Sequence, residues 1–240
     1  MANERIVEAF NEDVLSNEGY LYTTNASLSS RLANRRLTEL ALHAANFRGA
    51  RVLDVGCGDG SYSFDVYDEG SPTSMVGIDP ASNAIEIARS RRGDRAIEFR
   101  CENAEQLGFD HRSFDIAHLR GVLHHMDKPA AAVVESLRVA QTIVIIEPNG
   151  YNPVLKIIEK ISPYHRKHGE RSFSSRTIDR WISDGGGRVV ARQWAGLVPF
   201  FCPDWMARVL KTLEPVIERI PVVNLLSCAV YVVTATRVAP

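Results

Sequence analysis

The chain has 240 residues, of which 45% are hydrophobic and 24% are charged, which is the composition of an ordinary globular protein. A formal net charge of −1 excludes the strongly positive field that draws many proteins onto nucleic acid. The four cysteines form no C-x-x-C pair, which argues against a zinc site and a disulfide framework. The N-terminus lacks the apolar core of a signal peptide and no apolar run is long enough to span a bilayer, so we expect a cytoplasmic protein without stable membrane insertion.

The N-terminal part predicts two helices joined by a polar segment. Apolar residues recur at helical spacing over residues 4–15, and again over residues 32–47 before a terminating glycine. The segment between them, residues 17–30, is rich in small polar residues and carries Tyr20 and Tyr22. Two interpretations of these tyrosines stay open: partial burial against the main body, or a lid that closes over a bound ligand.

From residue 51 onward, short apolar runs alternate with helical patterns. The runs predict strands at residues 51–55, 74–80, 96–101, 113–119 and 142–147, and two more at 188–195 and 228–236. Helical patterns are found at residues 61–67, 81–91, 122–140, 156–161, 175–183 and 204–220. Strands that alternate with helices predict βαβ units and a mainly parallel sheet, hence an α/β fold.

Residues 51–60, RVLDVGCGDG, are the most informative stretch. A short strand runs into Gly56, Gly58 and Gly60, and a helix begins at Ser61. Such a turn lets a ligand approach the backbone closely and presents unpaired helix N–H groups, so it predicts a site for a nucleotide-like cofactor. The dinucleotide fingerprint G-x-G-x-x-G is not matched, because Ser61 stands where its last small residue belongs, and this weakens the prediction of an NAD site.

Four stretches resemble class I S-adenosylmethionine-dependent methyltransferases of the type 11/25 group. VLDVGCGDG resembles their first motif, with Asp54 as the acid inside the strand, and GIDP places Asp79 where the family binds the ribose hydroxyls. CENAEQLGF resembles the adenine-binding stretch, although Asn103 stands where Asp is common. FDIAHLRGVLHHM resembles the fourth strand and the segment that follows it.

The resemblance implies a Rossmann-like, seven-stranded and mostly parallel sheet with helices on both faces and an antiparallel last strand. It implies one domain over residues 1–240: a helical lid (1–49), a cofactor-binding core (50–150), and an acceptor-side cap with the last two strands (151–240), with cap insertions after strands five and six. The cofactor would be S-adenosylmethionine, leaving S-adenosylhomocysteine, and no metal is expected. The residues implied to bind the cofactor are Tyr22, Asp54, Gly56, Cys57, Gly58, Gly60, Asp79, Pro80, Asn103, Ala104, Glu105, Leu119 and Arg120.

Candidate catalytic residues follow the fourth and fifth strands. His124 and His125 are candidate general bases because imidazole titrates near neutral pH, or else they are structural. Adjacent residues on a helix point about 100° apart, so at most one of the two is expected to face the cleft. Glu147 is a candidate base or hydrogen-bond acceptor, and no second acid lies near it in sequence to form a metal site. Arg120 is expected to bind the methionine carboxylate of the cofactor or an acidic acceptor.

The residues that contact the methyl acceptor are harder to predict from the sequence. Residues predicted to contact the acceptor are Tyr20, Asn149, Tyr151, His165 and Arg166. The apolar run at 197–205 and the helix after it, which carries Trp205, Val209 and Leu213 on one side, predict either core, a dimer face, or an apolar wall for a lipid, polyketide or aromatic acceptor.

The function that we expect is methyl transfer to an O or N atom of a small molecule, such as a natural product or a glycan or lipid precursor. The protein would be a bacterial-type enzyme of secondary metabolism, a monomer or homodimer, with no nucleic-acid partner. The alternatives are a Rossmann-type NAD(P)-dependent oxidoreductase and a catalytically silent protein that binds S-adenosylmethionine.

Overall fold

The computed structural model describes residues 7–12, 14, 19–162 and 171–238 of the chain. Within these residues, seven strands form one sheet with the spatial order β3-β2-β1-β4-β5-β7-β6. The strands are β1 (Arg51–Val55), β2 (Ser74–Asp79), β3 (Ile97–Cys101), β4 (Phe114–Arg120), β5 (Ala140–Pro148), β6 (Gly187–Ala195) and β7 (Val230–Arg237).

Strand direction confirms the predicted sheet. Strands β1 to β5 are parallel to one another, with Val52 opposite Ile116 where β1 pairs with β4. Strand β7 is antiparallel to both β5 and β6, with Ile146 opposite Val232. The strand order reverses between β1 and β4, and in open α/β sheets ligands bind beyond the carboxyl ends of the strands at this reversal.

Helices cover both faces of the sheet. The described part of α1 includes residues 7–12, and a 3-10 turn follows β4 at Leu123–His125. The other helices are α2 (Leu21–Thr24), α3 (Leu28–Ala44), α4 (Ser61–Gly70), α5 (Ser82–Arg91), α6 (Pro129–Val139), α7 (Pro153–Ile161), α8 (Ser175–Asp184), α9 (Asp204–Ile217) and α10 (Val223–Ser227). None of the helices in the described residues combines the length and apolarity needed to cross a bilayer.

The core has two halves because successive side chains of a strand point to opposite faces of the sheet. On one face, Leu53 and Ile145 pack with α6 and α8 around Leu137. On the other face, Val52 and Val144 pack with α3, α4 and α5. The central strands are covered on both sides, which explains their nearly continuous apolar sequences.

The predicted helix over residues 122–140 is wrong in its first part. The chain makes a 3-10 turn and an extended segment, and α6 begins only at Pro129. Proline lacks the N–H that a helix interior needs and disfavours helical geometry in the residue before it, so Pro129 opens a helix here. The residues of the predicted first helix before residue 7, and residues 13 and 15, lie outside the described part of the chain.

Of the alternatives predicted for the apolar side of helix α9, burial in the core is wrong, because this side faces away from the protein. Trp205, Val209 and Leu213 are 67%, 51% and 47% exposed. The side that faces the protein carries Glu214, which is 2% exposed, and helical spacing alone could not show which side packs inward.

Candidate active site

The glycine turn after β1 is held in contact with two other segments. Gly56 and Gly58 have φ values of 74° and 54°, which favour glycine. A Cβ atom on Gly56 would lie 2.2 Å from a methyl carbon of Val122, in the loop after β4. A Cβ atom on Gly58 would lie 2.5 Å from the ring of Tyr20. Both glycines are therefore needed for close packing around the turn.

Asp79, at the end of β2, faces this turn as expected. Its carboxylate accepts hydrogen bonds from the backbone N–H of Gly58 at 3.1 Å and of Ala81 at 2.9 Å. Burial raises the pKa of Asp79 to about 6 even though both hydrogen bonds favour the ionised form. The turn and the carboxylate form one wall of a cavity of about 460 Å³, within the range of roughly 300–1,000 Å³ that is usual for ligand sites.

Residues after β3 extend this wall. Pro80, Glu102 and Ala104 line the cavity, and Oε2 of Glu102 is buried without a hydrogen-bond partner among the described residues. Glu102 was not predicted as a site residue, although its position inside the adenine-like stretch CENAEQLGF was an available signal. Asn103 and Glu105 are not in the lining, since Asn103 accepts from the Glu105 N–H and the Glu105 carboxylate accepts from the Lys128 N–H.

Asp54 stabilises the end of β1, before the turn, through two buried side-chain contacts. Its carboxylate accepts from Ser63 Oγ at 2.5 Å and lies 2.9 Å from His118 Nδ1, and all three side chains are buried. Asp54 is not in the cavity lining. Its side chain instead links β1 to α4 and β4.

Three further residues that the resemblance implies for cofactor binding are also buried or closely packed. Gly60 packs against Phe64 and Phe99, Leu119 is fully buried in the core, and Cys57 lines the cavity but is 7% exposed. Burial raises the pKa of the Cys57 thiol well above its ordinary value, so a reactive thiolate is disfavoured there.

His124 and Glu147 form a buried pair on the opposite wall. Oε1 of Glu147 accepts from the backbone N–H of Val122 and of Leu123, both at 2.8 Å. Oε2 of the same carboxylate lies 2.8 Å from Nδ1 of His124. The carboxylate thus fixes the loop after β4 and orients the imidazole, an arrangement in which the second ring nitrogen can exchange a proton.

His125 lines the cavity together with His124, contrary to the expectation that at most one histidine faces it. The centres of the two imidazole rings lie 3.9 Å apart, and His125 packs edge-on against Phe10 with 4.8 Å between ring centres. The expectation assumed an α-helix, whereas the residues form a tighter 3-10 turn.

Arg120 is a buried cation at the cavity wall. Its guanidinium donates to Thr38 Oγ1 at 3.0 Å and to Asn34 at 3.2 Å, and it lies 3.6 Å from the centre of the Tyr62 ring. No carboxylate of the described residues lies within 4.0 Å of it, and burial lowers its pKa. Tyr62, whose pKa burial raises to about 12, is a site residue that sequence patterns did not indicate.

The N-terminal segment covers the glycine turn. Thr23 Oγ1 donates to the Asp59 carboxylate at 2.6 Å, and the Tyr20 N–H donates to the same carboxylate at 3.3 Å. Tyr22 packs on Phe200 at 5.2 Å between ring centres. Tyr20 and Tyr22 both line the cavity, and Asp59 joins this segment to the turn.

The acceptor-side residues were predicted least well. Asn149 is 1% exposed and donates to the carbonyls of Leu225 and Cys228, and neither it nor Tyr151 is in the cavity lining. The Asn149 side chain therefore joins β5 to the segment before β7. His165 and Arg166 lie outside the described residues. Leu155, Ile158 and Arg171 form a part of the cavity wall that was not predicted. Val198, Phe200 and Phe201 also line the cavity, and they belong to the apolar run at 197–205, for which an apolar wall was one of the predicted alternatives.

A metal site is not indicated in the part of the chain that the structure describes, where no three His, Cys, Asp or Glu residues are grouped to hold an ion. The buried Glu147 carboxylate is already used by two backbone N–H groups and His124.

Comparison with known proteins identifies the domain. Residues 53–143 match the family described as "Methyltransferase domain". The mitochondrial ubiquinone biosynthesis O-methyltransferase of Arabidopsis thaliana is 26% identical over 172 residues, which is 70% of this chain and 47% of that protein. The demethylmenaquinone methyltransferase of Lactococcus lactis is 27% identical over 164 residues, 65% of this chain and 63% of that protein. The chain thus spans about half to two thirds of the length of these relatives.

A solved structure shows the same fold. The S-adenosylmethionine-dependent methyltransferase of Thermotoga maritima described as a possible histamine N-methyltransferase superposes with a TM-score of 0.68 at 18% identity, covering 97% of this chain and 100% of its own. The sequence resemblance to class I methyltransferases is confirmed, and the oxidoreductase alternative is not supported.

Proposed function

We propose that this chain, which carries a class I S-adenosylmethionine-dependent methyltransferase domain, methylates a hydroxyl oxygen of a largely apolar small molecule. The observation that carries the proposal is the Glu147–His124 pair at the wall of the cavity. A hydroxyl must lose a proton when its oxygen is methylated, and an imidazole oriented by a carboxylate is suited to accept that proton. Relatives described as O-methyltransferases support the same acceptor atom.

The residues of the first wall fit the cofactor. The carboxylates of Asp79 and Glu102 are close to the glycine turn, and a ribose diol needs such acceptors. Pro80 and Ala104 offer apolar contacts for the adenine ring. Arg120, with no carboxylate partner near it, is available for an anionic group of the cofactor or of the acceptor.

The chemistry requires little more than positioning and one proton acceptor. S-adenosylmethionine, when bound, supplies an activated methyl group, and the products are S-adenosylhomocysteine, a methyl ether and one proton. Nδ1 of His124 faces the Glu147 carboxylate, and we assign Nε2 as the atom that takes the proton of the acceptor hydroxyl. The buried Glu147 carboxylate stabilises the imidazolium that forms.

The rest of the cavity indicates the acceptor. Leu155, Ile158, Phe200 and Phe201 give it an apolar wall, which suits an aromatic or lipid-like hydroxyl compound. We further propose that the protein acts as a cytoplasmic enzyme without a metal or nucleic-acid partner, as a monomer or homodimer.

The proposal is tested by replacing the base. Incubation with labelled S-adenosylmethionine and a panel of phenols, catechols and amines identifies the acceptor by transferred label. His124→Gln should lower kcat by about 10²–10⁴-fold and leave S-adenosylhomocysteine affinity within about twofold. Glu147→Gln should act similarly, because its amide can still accept from the loop but would donate to Nδ1 and reverse the tautomer.

His111→Gln is the matched control, since His111 is exposed and is not in the cavity lining. Unchanged turnover by the His124 variant, or transfer to amines alone, would refute the proposed base. Absence of S-adenosylhomocysteine binding would refute the methyltransferase activity itself.

A further inference from the structure

Exposed apolar side chains lie on α7, which lines the cavity, and on α9, which follows the cavity-lining residues Phe200 and Phe201 in the chain. We call this set the apolar cap surface. Six of its side chains are between 47% and 70% exposed: Val154, Ile157 and Ile161 from α7, and Val209, Leu213 and Val216 from α9. Trp205, at the start of α9, is 67% exposed. Clusters of exposed apolar side chains mark interaction sites in folded proteins.

The orientation of α9 is fixed by buried ion pairs. Its inward carboxylates, Glu214 and Glu218, pair with Arg36 of α3. Glu214 also accepts from the Leu197 N–H at 2.9 Å, and Glu218 accepts from the Gly196 N–H at 2.8 Å. Turning the apolar side of α9 inward would break these contacts and leave charges buried without partners. These contacts therefore hold α9 in the orientation that exposes its apolar side.

The apolar cap surface is continuous with the cavity. Helix α7 has two apolar sides, because Leu155 and Ile158 line the cavity while Val154 and Ile157 face outward. Phe201, just before α9, lines the cavity and is 55% exposed. An apolar molecule at the surface would therefore meet apolar side chains along its way into the site.

We propose that the apolar cap surface docks on the surface of an anionic phospholipid bilayer. Helical spacing places Arg208 along one edge of the α9 stripe, Arg219 lies in the turn directly after the helix, and both are exposed. Lys160 is exposed on α7. An amphipathic helix with Trp and aliphatic residues on one side and basic residues beside them lies in the plane of a membrane interface.

Charge complementarity favours lipid over a second copy of the chain. In a symmetric dimer the same patch meets itself, so two arginine-edged stripes would face each other. On the described part of α9, Asp204 is the fully exposed carboxylate, and Glu214 and Glu218 are already paired with Arg36. The phosphate groups of anionic lipids would give the arginines beside the stripe the anionic partners that a second copy of the chain does not offer. Docking would also bring a lipid-soluble acceptor to the cavity, and this last point rests on the proposed function whereas docking itself does not.

Vesicle co-sedimentation of the full chain tests the proposal. We expect binding to phosphatidylcholine vesicles that contain phosphatidylglycerol, and weaker binding to phosphatidylcholine alone. The paired change Val209→Ser and Leu213→Ser should weaken partitioning by at least about tenfold, since both side chains lose their apolar burial. Arg208→Gln and Arg219→Gln should each weaken binding to the anionic vesicles by about fivefold. Val190→Ser, at a 51% exposed position on β6, is the matched control and should bind as the unchanged protein does.

Tryptophan fluorescence gives an independent measurement. Trp205 is exposed, whereas Trp181 and Trp194 are only partly exposed. Anionic vesicles should shift the emission to shorter wavelength, and Trp205→Phe should remove most of the shift.

Absence of sedimentation with either vesicle would overturn the proposal. So would unweakened binding by the Val209/Leu213 variant, or a dimer in lipid-free solution that Leu213→Ser dissociates. S-adenosylhomocysteine titration of the same variants should be unchanged, which separates this test from that of the proposed function.

Discussion

Asp79 is an ionisable residue whose surroundings make cofactor binding depend on pH. Burial raises its pKa from 3.8 to about 6, and the ionised form is the one that can accept from both ribose hydroxyls. We therefore expect S-adenosylhomocysteine affinity to fall by up to about tenfold per pH unit below about pH 6. The raised pKa has the opposite effect on folding: the native state holds this proton more tightly than the unfolded chain, so the contribution of Asp79 to stability falls as pH rises from about 4 to about 6.

Calorimetric titration with S-adenosylhomocysteine between about pH 5 and about pH 8 measures the effect on binding. Asp79→Asn is the control: it should flatten the pH profile and weaken binding at neutral pH by about 1.5–3 kcal/mol, because charged hydrogen bonds are lost. A flat profile for the unchanged protein would show that Asp79 does not contact the cofactor.

Single residues were predictable where one motif fixes both position and partner. Gly56, Gly58 and Asp79 meet at one end of the sheet because the turn and the acid follow adjacent parallel strands. Asn149 also follows a strand, but its side chain turns to the segment before β7, a contact that spans 76 residues. Such contacts leave no local pattern, and this is also why Tyr62 was missed.

The glycine turn is an element whose conformation and packing can be tested separately. Gly58→Ala places a methyl group against the ring of Tyr20 and also forces alanine to a positive φ, so the N-terminal segment must shift. Gly186 has a φ of 77° and nothing within 4 Å of its would-be Cβ. Gly186→Ala should therefore lower the free energy of unfolding by about 1–2 kcal/mol through backbone strain alone.

Gly58→Ala should lower stability by at least as much and weaken S-adenosylhomocysteine binding by tenfold or more, whereas Gly186→Ala should leave binding unchanged. Thermal unfolding and ligand titration of both variants measure this. Equal ligand affinity in the two variants would mean that the contact with Tyr20 does not shape the site.

At the level of elements, the sequence predicted which segments are strands or helices better than how each one packs. Helix α6 begins late because of Pro129, a signal that was present in the sequence. Helix α9 was placed correctly, but the sequence left open whether its apolar side packs in the core, on a second subunit or around an acceptor, since periodicity defines a side without saying what covers it. The parallel order of β1 to β5 followed from strand–helix alternation because crossovers of this kind obey a fixed hand.

The whole molecule depends on how the acceptor-side cap is attached to the core. Arg36 of α3 reaches across to Glu214 of α9 and to Glu218 directly after it, two carboxylates whose side chains are 3% and 7% exposed. Lys211 of α9 also pairs with Glu214. The Arg36 side chain is 21% exposed, and its contacts with these carboxylates connect parts of the chain about 180 residues apart. The segment that carries α9 is thus joined through buried charge to α3, which packs against the sheet.

Arg36→Ala should therefore lower the free energy of unfolding by about 3 kcal/mol, because both carboxylates lose a buried partner. Arg35→Ala is the matched control one residue away: Arg35 is 53% exposed and pairs with Glu39 and Glu69 at the surface, so its loss should change stability by no more than about 1 kcal/mol. Urea unfolding of the two variants at neutral pH measures the difference. Because protonation relieves an unpaired carboxylate, the deficit of the Arg36 variant should shrink as the pH is lowered towards about 4. A deficit equal to that of the Arg35 variant would mean that the cap is held by its apolar contacts and not by this ion pair.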